Sequence, residues 1–567
     1  MKETIVVVHC ASTGMNFIDD IRSRGYEPVL LKIEDYAGTE EDKALLAGQD
    51  LTESRRFGKI RIIPYDPDYW VLLRRVQEVN PKLVLAGSEF GVELATRLAA
   101  DLGLPGNPPE LLPAMTRKDA MHEALKRYGI RYIRGEVVTT VEEAVAFYET
   151  LGTEKAVVKR TRGCGTQGVY LCDTREEFME AIQKELGDRA TLDGEKIEVM
   201  VQERIMGEEF IVNTVSCNGR HHLASIWKYR KIRMPNGTNA YISAENVTRM
   251  EIGYTEMVSY AFDVVNAIGI QWGPVHGEYM IDEKGPVLIE VNCRPMGGAM
   301  DRRFLEKLYS HHETDLILDA FLNPDGFRKT QRKIYKPLRK GFLKIFLLTE
   351  DVRANSAPIV SLCKGLRSYH DSIFDRVGRD IVIEKTRNLE TSGGYVFLVH
   401  DSEQVVEQDA NLLHTLEMHF PKLLFQNIAE ASQPDMVPRD IETVMAEKVC
   451  RGSTLIVSDR ADTPELFPEE LYATVVSPDD VKDAYDSYEQ VILDLTRPES
   501  FRDLEILFHQ IFVSLTRLRP KGRVLIPEST YSLMPYGVSG MEALLMVAGA
   551  EIEVPDCGAE RTLVGIL

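Results

Sequence analysis

His276–Arg294 reads HGEYMIDEKGPVLIEVNCR. Apolar and polar residues alternate on either side of Asp282-Glu283-Lys284-Gly285, a turn signal, so the stretch is expected to form two antiparallel strands. A three-residue loop, Glu283 to Gly285, would place the glycine in the left-handed position such loops favour. Asp282 would then face Pro286, Glu278 would face Glu290, and His276 would face Asn292. Side chains alternate across a strand, so Glu278, Glu290, Asn292 and His276 would share one face, with Tyr279, Ile281, Val287, Ile289 and Val291 on the other. Two carboxylates held this close repel unless a positive charge lies between them. An oxygen-only donor set of Glu278, Glu290 and Asn292 suits Mg²⁺, which commonly bridges substrate phosphates through one or two carboxylates.

Working outward, Ala156-Val-Val-Lys159 runs into Arg160-Thr-Arg-Gly-Cys-Gly-Thr-Gln-Gly168. A lysine at the end of an apolar strand presents a compact point charge to phosphate. Gly163, Gly165 and Gly168 let backbone N–H groups turn toward phosphate oxygens. Lys118 lies near a helix start, where it is either solvent-facing or a second phosphate contact. Val199-Met-Val-Gln-Glu203 offers backbone to an adenine edge through Gln202 and Glu203. Glu209, beyond Met206-Gly207, is either an exposed strand residue or a partner for ribose hydroxyls. Ser12-Thr-Gly14, after the first strand, is either an anion-binding turn or a plain helix start.

The chain has 567 residues, 44% hydrophobic and 27% charged, which is ordinary for a globular protein. Its length calls for about three or four domains. A net charge of −21 argues against general nucleic-acid or anionic-membrane binding. The eight cysteines are scattered without a CxxC pair, which suggests a reducing compartment, the cytoplasm, and no zinc site. Strand alternation turns Cys293 away from the metal face. No signal peptide and no membrane span are expected.

Strand and helix signals alternate from residue 1 to about 110, from Ile5–Val8 through Glu27–Ile33 to Leu83–Ala86, and predict a small parallel sheet. Asp101–Pro109, rich in proline and glycine, looks like a domain exit. Long strands are expected over 199–217 and 221–232, a helix over 301–322, and strands at Gly341–Leu348 and Gly394–His400. Ser432–Pro438 is expected to be a linker. The tail is expected to be α/β, with strands at Thr454–Ser458, Tyr472–Val476, Gln490–Leu495 and Arg523–Pro527 and a closing pair near 550–567.

Lys118, Lys159 with its glycine loop, Gln202-Glu203, Glu209, Glu278 and Glu290-Val-Asn292 stand in the order and spacing of the ATP-grasp superfamily. Within it the chain most resembles the bacilysin-type L-amino-acid ligases. That likeness rests on His276-Gly-Glu278, on Asn292-Cys-Arg294 with Gly297-Gly298, and on Trp227-Lys-Tyr-Arg-Lys231. It extends to His311-His-Glu-Thr-Asp315 with Leu318-Asp-Ala-Phe-Leu322, to Thr391–His400, and to Asp409 and Glu417. The resemblance implies an α/β chain with an α+β ATP-grasp core. Its parts would be an N-terminal pre-ATP-grasp α/β domain (1–110), the ATP-grasp domain with a glycine-rich lid (111–325), and a small ligase-like domain (326–430). Residues 440–567 resemble the later strands of a class I methyltransferase but lack its glycine-rich loop, so a non-catalytic Rossmann-like appendage for contacts or self-association is expected.

The implied activity is an ATP-dependent carboxylate–amine ligase that forms an amide, such as a dipeptide, through an acyl phosphate. ATP would be bound with two Mg²⁺ ions, which Mn²⁺ could replace, and the partners would be a small-molecule carboxylate and an amine, both amino acids. Lys118 and Lys159 would meet the phosphates. Arg294 would grip a carboxylate and later the oxyanion, and His276 would help deprotonate the amine or hold a ligand. The alternative is a nucleotide-binding regulatory or scaffold protein with an inactive ATP-grasp core.

Overall fold

A computed structural model describes residues 2–33, 57–161, 168–187, 198–234, 239–330, 335–349, 351–353, 358–374, 382–387 and 391–419, together with six strands beyond residue 453. Gly163, Gly165 and the expected linker at Ser432–Pro438 lie outside the described residues. The chain divides into two compact units, 1–340 with 387–390, and 341–386 with 391–567.

The first unit begins with strands β1 (Thr4–Val8), β2 (Glu27–Leu31), β3 (Arg61–Ile63) and β4 (Pro81–Ala86). They form a parallel sheet in the order β3-β2-β1-β4. Every residue of β1 is buried. Ile5 and Val7 enter one hydrophobic cluster and Val6 and Val8 another, so helices cover both faces, as a continuous apolar strand requires. A Cβ on Gly14 would sit 2.0 Å from the Gly87 carbonyl oxygen, so only glycine lets the turn after β1 approach the end of β4.

A second sheet holds β5 (Gly135–Val138), β6 (Ala156–Arg160), β7 (Val169–Cys172) and β8 (Val199–Glu203), in the antiparallel order β5-β8-β6-β7. Helices Val141–Thr150 and Arg175–Ile182 pack on it through a cluster that includes Tyr148, Phe178, Val158 and Val201. The Thr140 and Thr174 hydroxyls cap these helices by accepting from the Glu143 and Glu177 N–H groups, each at 3.2 Å. The long strand expected over 199–217 is broken at Arg204–Gly207, so its two halves serve different sheets.

The third layer is antiparallel: β9 (Glu208–Cys217), β10 (Arg220–Arg233), β11 (Asn239–Asn246), β12 (Trp272–Asp282) and β13 (Gly285–Asn292), in the order β13-β12-β9-β10-β11. Helix Ile252–Ile268 buries Met257, Ala261, Val264, Val265 and Ile268 against it. The single helix expected over 301–322 is two, Arg302–Tyr309 and Glu313–Leu322. Ser310 between them adopts a left-handed backbone at φ 60°, which ends the first.

The β12–β13 hairpin corrects one expectation. Asp282 pairs with Gly285, not Pro286, so the turn has two residues, Glu283 and Lys284. Asp282 closes it by accepting from the Lys284 N–H at 2.8 Å, while Arg131 holds the same carboxylate at 2.8 and 2.6 Å. The register expected for Glu278 with Glu290 and for His276 with Asn292 nevertheless holds, because a bulge at Ile289 takes up the extra residue. The shorter turn pairs Leu288 with Tyr279, so Leu288, not Val287, joins the hydrophobic cluster with Tyr279, Val291 and Cys293.

In the second unit, strands Lys340–Phe346, Gly394–His400 and Tyr369–Ile373 are neighbours in that order. The Lys344 ammonium, fully buried, meets Glu417 of helix Glu403–His419 at 2.7 Å, and the Asp409 carboxylate accepts from the Ser368 N–H and hydroxyl. A six-stranded sheet follows, ordered Ala473–Val476, Thr454–Ser458, Tyr488–Asp494, Leu518–Pro527, Thr562–Ile566, Glu551–Glu553. The first four run parallel, and Thr562–Ile566 is antiparallel to both its neighbours.

Candidate active site

The β12–β13 hairpin, the start of helix Lys118–Tyr128 and the end of β6 bring the expected charged residues together. Lys118 is buried, not solvent-facing, and its ammonium lies 2.9 Å from Glu290. Its backbone N–H donates to the Thr161 carbonyl, which ties the helix start to the chain leaving β6. Lys159 is 4% exposed. Burial, reinforced by the charge of Lys118, lowers its ammonium to about 7 against the pull of Glu290 and Glu278. Two lysines confined beside two carboxylates form a site that a polyanion with a divalent cation would balance on both signs.

Glu278 and Glu290 face each other across the hairpin, and the Asn292 amide lies 3.5 Å from Glu290. Burial pushes the Glu278 carboxyl up. The contact from His276 and the charges of Lys231 and Arg294 outweigh burial and bring it down to about 2. Glu278 is therefore an anion at neutral pH. All three side chains offer oxygen, the set fits a hard divalent cation, and strand geometry fixes their spacing.

His276 is fully enclosed. Its Nδ1 lies 2.8 Å from Asn213 Oδ1 and its Nε2 3.4 Å from Glu278. Burial lowers its basicity, with Arg294 adding to the effect. Asn213 in turn donates to Ser225 Oγ at 2.9 Å. This chain of contacts fixes the imidazole in place and suits a positioning role. Arg294 follows Asn292 by two residues. Its Nε lies 3.6 Å from Glu89, and it donates to the Pro295 carbonyl at 3.0 Å.

Gln202 is buried in β8 and Glu203 accepts from the Arg134 N–H at 3.0 Å. Glu209 is not an exposed strand residue: Lys231 meets it at 2.5 Å. Burial lifts the Glu209 carboxyl to about 7, with Lys231 opposing and Glu278 adding to the rise. Gly168 has a left-handed backbone at φ 64°.

Three groups in the site carried no assigned role in the sequence. Lys231 lies within the quoted Trp227–Lys231 segment and bridges the fields of Glu209 and Glu278. His122, one turn beyond Lys118, is pushed down to about 3 by burial and by the charges of Lys159 and Lys118, so it is neutral. Glu89 comes from the turn after β4 and gave no local signal, because only the tertiary fold brings it to Arg294. The Ser12 and Thr13 hydroxyls accept from the Ala299 and Met300 N–H groups at 2.9 and 3.0 Å. They anchor the loop that follows Arg294. Cys293 is buried in the core and burial raises its thiol, so it lies off the site face as alternation requires.

Comparisons with known proteins bear on the fold. Residues 153–302 match the family model of the ATP-grasp domain. Dapdiamide A synthase of Enterobacter agglomerans is 26% identical over 426 residues, 74% of this chain and 97% of that protein. A phosphoribosylamine–glycine ligase of Chlorobaculum tepidum is 28% identical over 251 residues, 42% of this chain and 59% of that one. The crystal structure of an L-amino acid ligase from Bacillus licheniformis superposes with a TM-score of 0.58 at 18% identity, covering 73% of this chain and 98% of that chain. The fold is the ATP-grasp fold.

Proposed function

We propose that this ATP-grasp enzyme is a carboxylate–amine ligase that spends ATP to form an amide bond, with amino acids as both partners and a dipeptide as product. The observation that carries the reading is the convergence of Lys118 and Lys159 on the opposed pair Glu278 and Glu290. Lys118 and Lys159 would offset the charge of the phosphates. Gln202, Glu203 and Glu209 would face the nucleoside, and the glycine run ending at Gly168 would cover the phosphates. Glu278, Glu290 and Asn292 would hold Mg²⁺, in one or two ions, whose chemistry is to neutralise charge on phosphate oxygens.

A carboxylate oxygen of the first substrate attacks the terminal phosphorus and ADP leaves with the electron pair of the broken P–O bond, giving an acyl phosphate. The amine nitrogen of the second substrate attacks the acyl carbon, loses a proton, and inorganic phosphate departs. Arg294 would orient the carboxylate and stabilise the oxyanion that forms at that carbon. His276, locked by Asn213, positions the incoming amine or a neighbouring ligand. Exclusion of water is needed, because an acyl phosphate otherwise hydrolyses.

The likeness to dapdiamide A synthase and to an L-amino acid ligase supports this choice among ATP-grasp chemistries. The residues 440–567 read as a Rossmann-like appendage without catalysis of its own. The five described cysteines are free and buried, which suits a cytoplasmic setting. Among the described residues no helix is long and apolar enough to cross a membrane. Glu290→Gln tests the site. It keeps shape but loses the charge that faces Lys118, and is expected to cut ADP release by about 10³-fold or more with an unchanged circular-dichroism spectrum. Turnover within tenfold of the parent would refute the assignment.

A further inference from the structure

Two neighbouring strands of the first sheet, β1 and β4, lead into turns that meet the segment carrying Arg294. The chain leaving β1 makes a short helical turn, Ser12–Met15, and continues into helix Asn16–Ser23. Gly14 lets that turn press against Gly87 at the end of β4, and the residues after Gly87 bring Glu89 to Arg294. Opposite Ser12, Thr13 and Asn16 runs the loop Gly297–Met300. Thr13 is 2% exposed, and its hydroxyl donates to the Gly297 carbonyl at 3.3 Å while accepting from the Met300 N–H at 3.0 Å. A hydroxyl can do both, which a methyl group of the same size cannot. The Ser12 hydroxyl accepts from the Ala299 N–H at 2.9 Å, and the Asn16 amide donates to the Met300 carbonyl at 2.8 Å.

Backbone strain marks the same contact. Ser12 and Ala299 both hold a left-handed backbone, at φ 53° and 49°, and one hydrogen bond joins them. Such conformations persist in residues other than glycine only where the surroundings over-determine them, and they gather where a site needs a fixed geometry. The hold reaches back to Arg294. The Arg294 N–H donates to the Asn292 carbonyl at 2.9 Å, the Pro295 ring fixes its own φ, and the Met296 N–H donates to the Glu313 carboxylate at 3.0 Å. Little backbone freedom is left between the end of β13 and the loop that Thr13 grips.

We propose that Thr13, assisted by Ser12 and Asn16, is a positioning residue: through the loop Gly297–Met300 it sets where the Arg294 guanidinium meets the substrate carboxylate. The reading rests on the ligase function proposed above. In that function ATP is held by other elements, so loosening the loop leaves nucleotide binding alone and weakens the use of the amino acid. A misplacement of about 1 Å, caused far from the reacting atoms, costs on the order of 10²-fold in rate. The turn after β1 thus serves the reaction without touching substrate.

The experiment compares the full parent chain with Thr13→Ser, Thr13→Val and Asn16→Ala. ADP release is measured against ATP and against an equimolar pool of the proteinogenic amino acids. Thermal melts are recorded with a non-hydrolysable ATP analogue and Mg²⁺, with and without that pool. Thr13→Val is expected to lose about tenfold or more in kcat/KM for the pool while its KM for ATP changes by less than about twofold. Thr13→Ser keeps both hydrogen bonds and should stay within about threefold of the parent. Asn16→Ala should show the same split to a smaller degree, and where Thr13→Val does not fold, the presence or absence of that split decides. A loss shared equally by ATP and the pool, a loss that only follows a lower melt, or a Thr13→Ser enzyme no better than Thr13→Val is what a merely structural contact gives and would overturn the proposal. So would a Thr13→Val enzyme that matches the parent. A parent that releases no ADP in response to amino acids removes the ligase reading. In that case, stabilisation by the pool that Thr13→Ser keeps and Thr13→Val lacks still supports the positioning role, and any other pattern overturns that role too.

Discussion

Lys231 illustrates how much one side chain carries in this site. Its ammonium is held 2.5 Å from Glu209 and 4.2 Å from the centre of the Tyr241 ring, and it balances Glu278 as well. Without it, two carboxylates face each other in a partly desolvated space. Lys231→Met is expected to cost about 3 kcal/mol at pH 8, as removal of one partner from a buried pair does. The cost should shrink at pH 5, where the Glu209 carboxyl, already lifted to about 7, takes a proton and no longer needs the lysine. Urea midpoints of both proteins at the two pH values check this, and a pH-independent difference would contradict it. The carboxylates and amide proposed to hold Mg²⁺, together with Lys118, Lys159 and Arg294, were legible in the sequence because each belongs to a local pattern: a strand end, a helix start, an E-x-N run. Glu89 was not, since the turn that presents it is contiguous with nothing else in the site.

The bulge at Ile289 decides the hairpin. With a two-residue turn, an unbulged ladder would pair Glu278 with Ile289 and turn Glu290 and Asn292 to the core face. The inserted residue restores the facing pairs Glu278–Glu290 and His276–Asn292. Deleting Ile289 is therefore expected to remove the stabilisation that ATP and Mg²⁺ give in a thermal melt, whereas Ile289→Val should keep it. Equal stabilisation of the deletion variant would show that register does not matter. Alternation along each strand was readable from sequence, but the turn length was not, because Arg131, distant in the chain, helps hold Asp282 in the tighter turn. The helix expected over 301–322 failed for a similar reason. His312 and Thr314 reach Asp20 of helix Asn16–Ser23 at 2.8 and 2.6 Å, and that long-range anchor fixes where the second helix begins.

At the scale of the whole molecule, the buried charges make stability depend on pH in a way that ligand should alter. Burial lifts the Glu313 carboxyl to about 7 from an ordinary value of 4.5, so the folded chain binds a proton that the unfolded chain releases, and stability falls as pH rises between those values. Lys159 is lowered to about 7 from 10.5, so the unfolded chain holds the proton longer, and stability rises with pH across that window. The melting temperature of the ligand-free protein is therefore expected to pass through a minimum near pH 7. ATP with Mg²⁺ should raise the melt most on the acidic side of that minimum, where Lys159 is charged. A flat profile, or one that nucleotide shifts uniformly, would contradict the placement of Lys159.

The parallel N-terminal sheet and the antiparallel core follow from apolar runs and alternation that any reader of the chain can see. Assembly of the site from three sheets in one unit does not. The claim that this assembly makes amide bonds is tested most directly by mass spectrometry of the products formed from a mixed amino-acid pool with ATP and Mg²⁺, with ADP counted in parallel. The prediction is a dipeptide whose mass is the sum of two amino acids less one water, formed in equal amount to ADP and absent with Glu290→Gln. ATP hydrolysis that no carboxylate stimulates, with no condensed product, would contradict it.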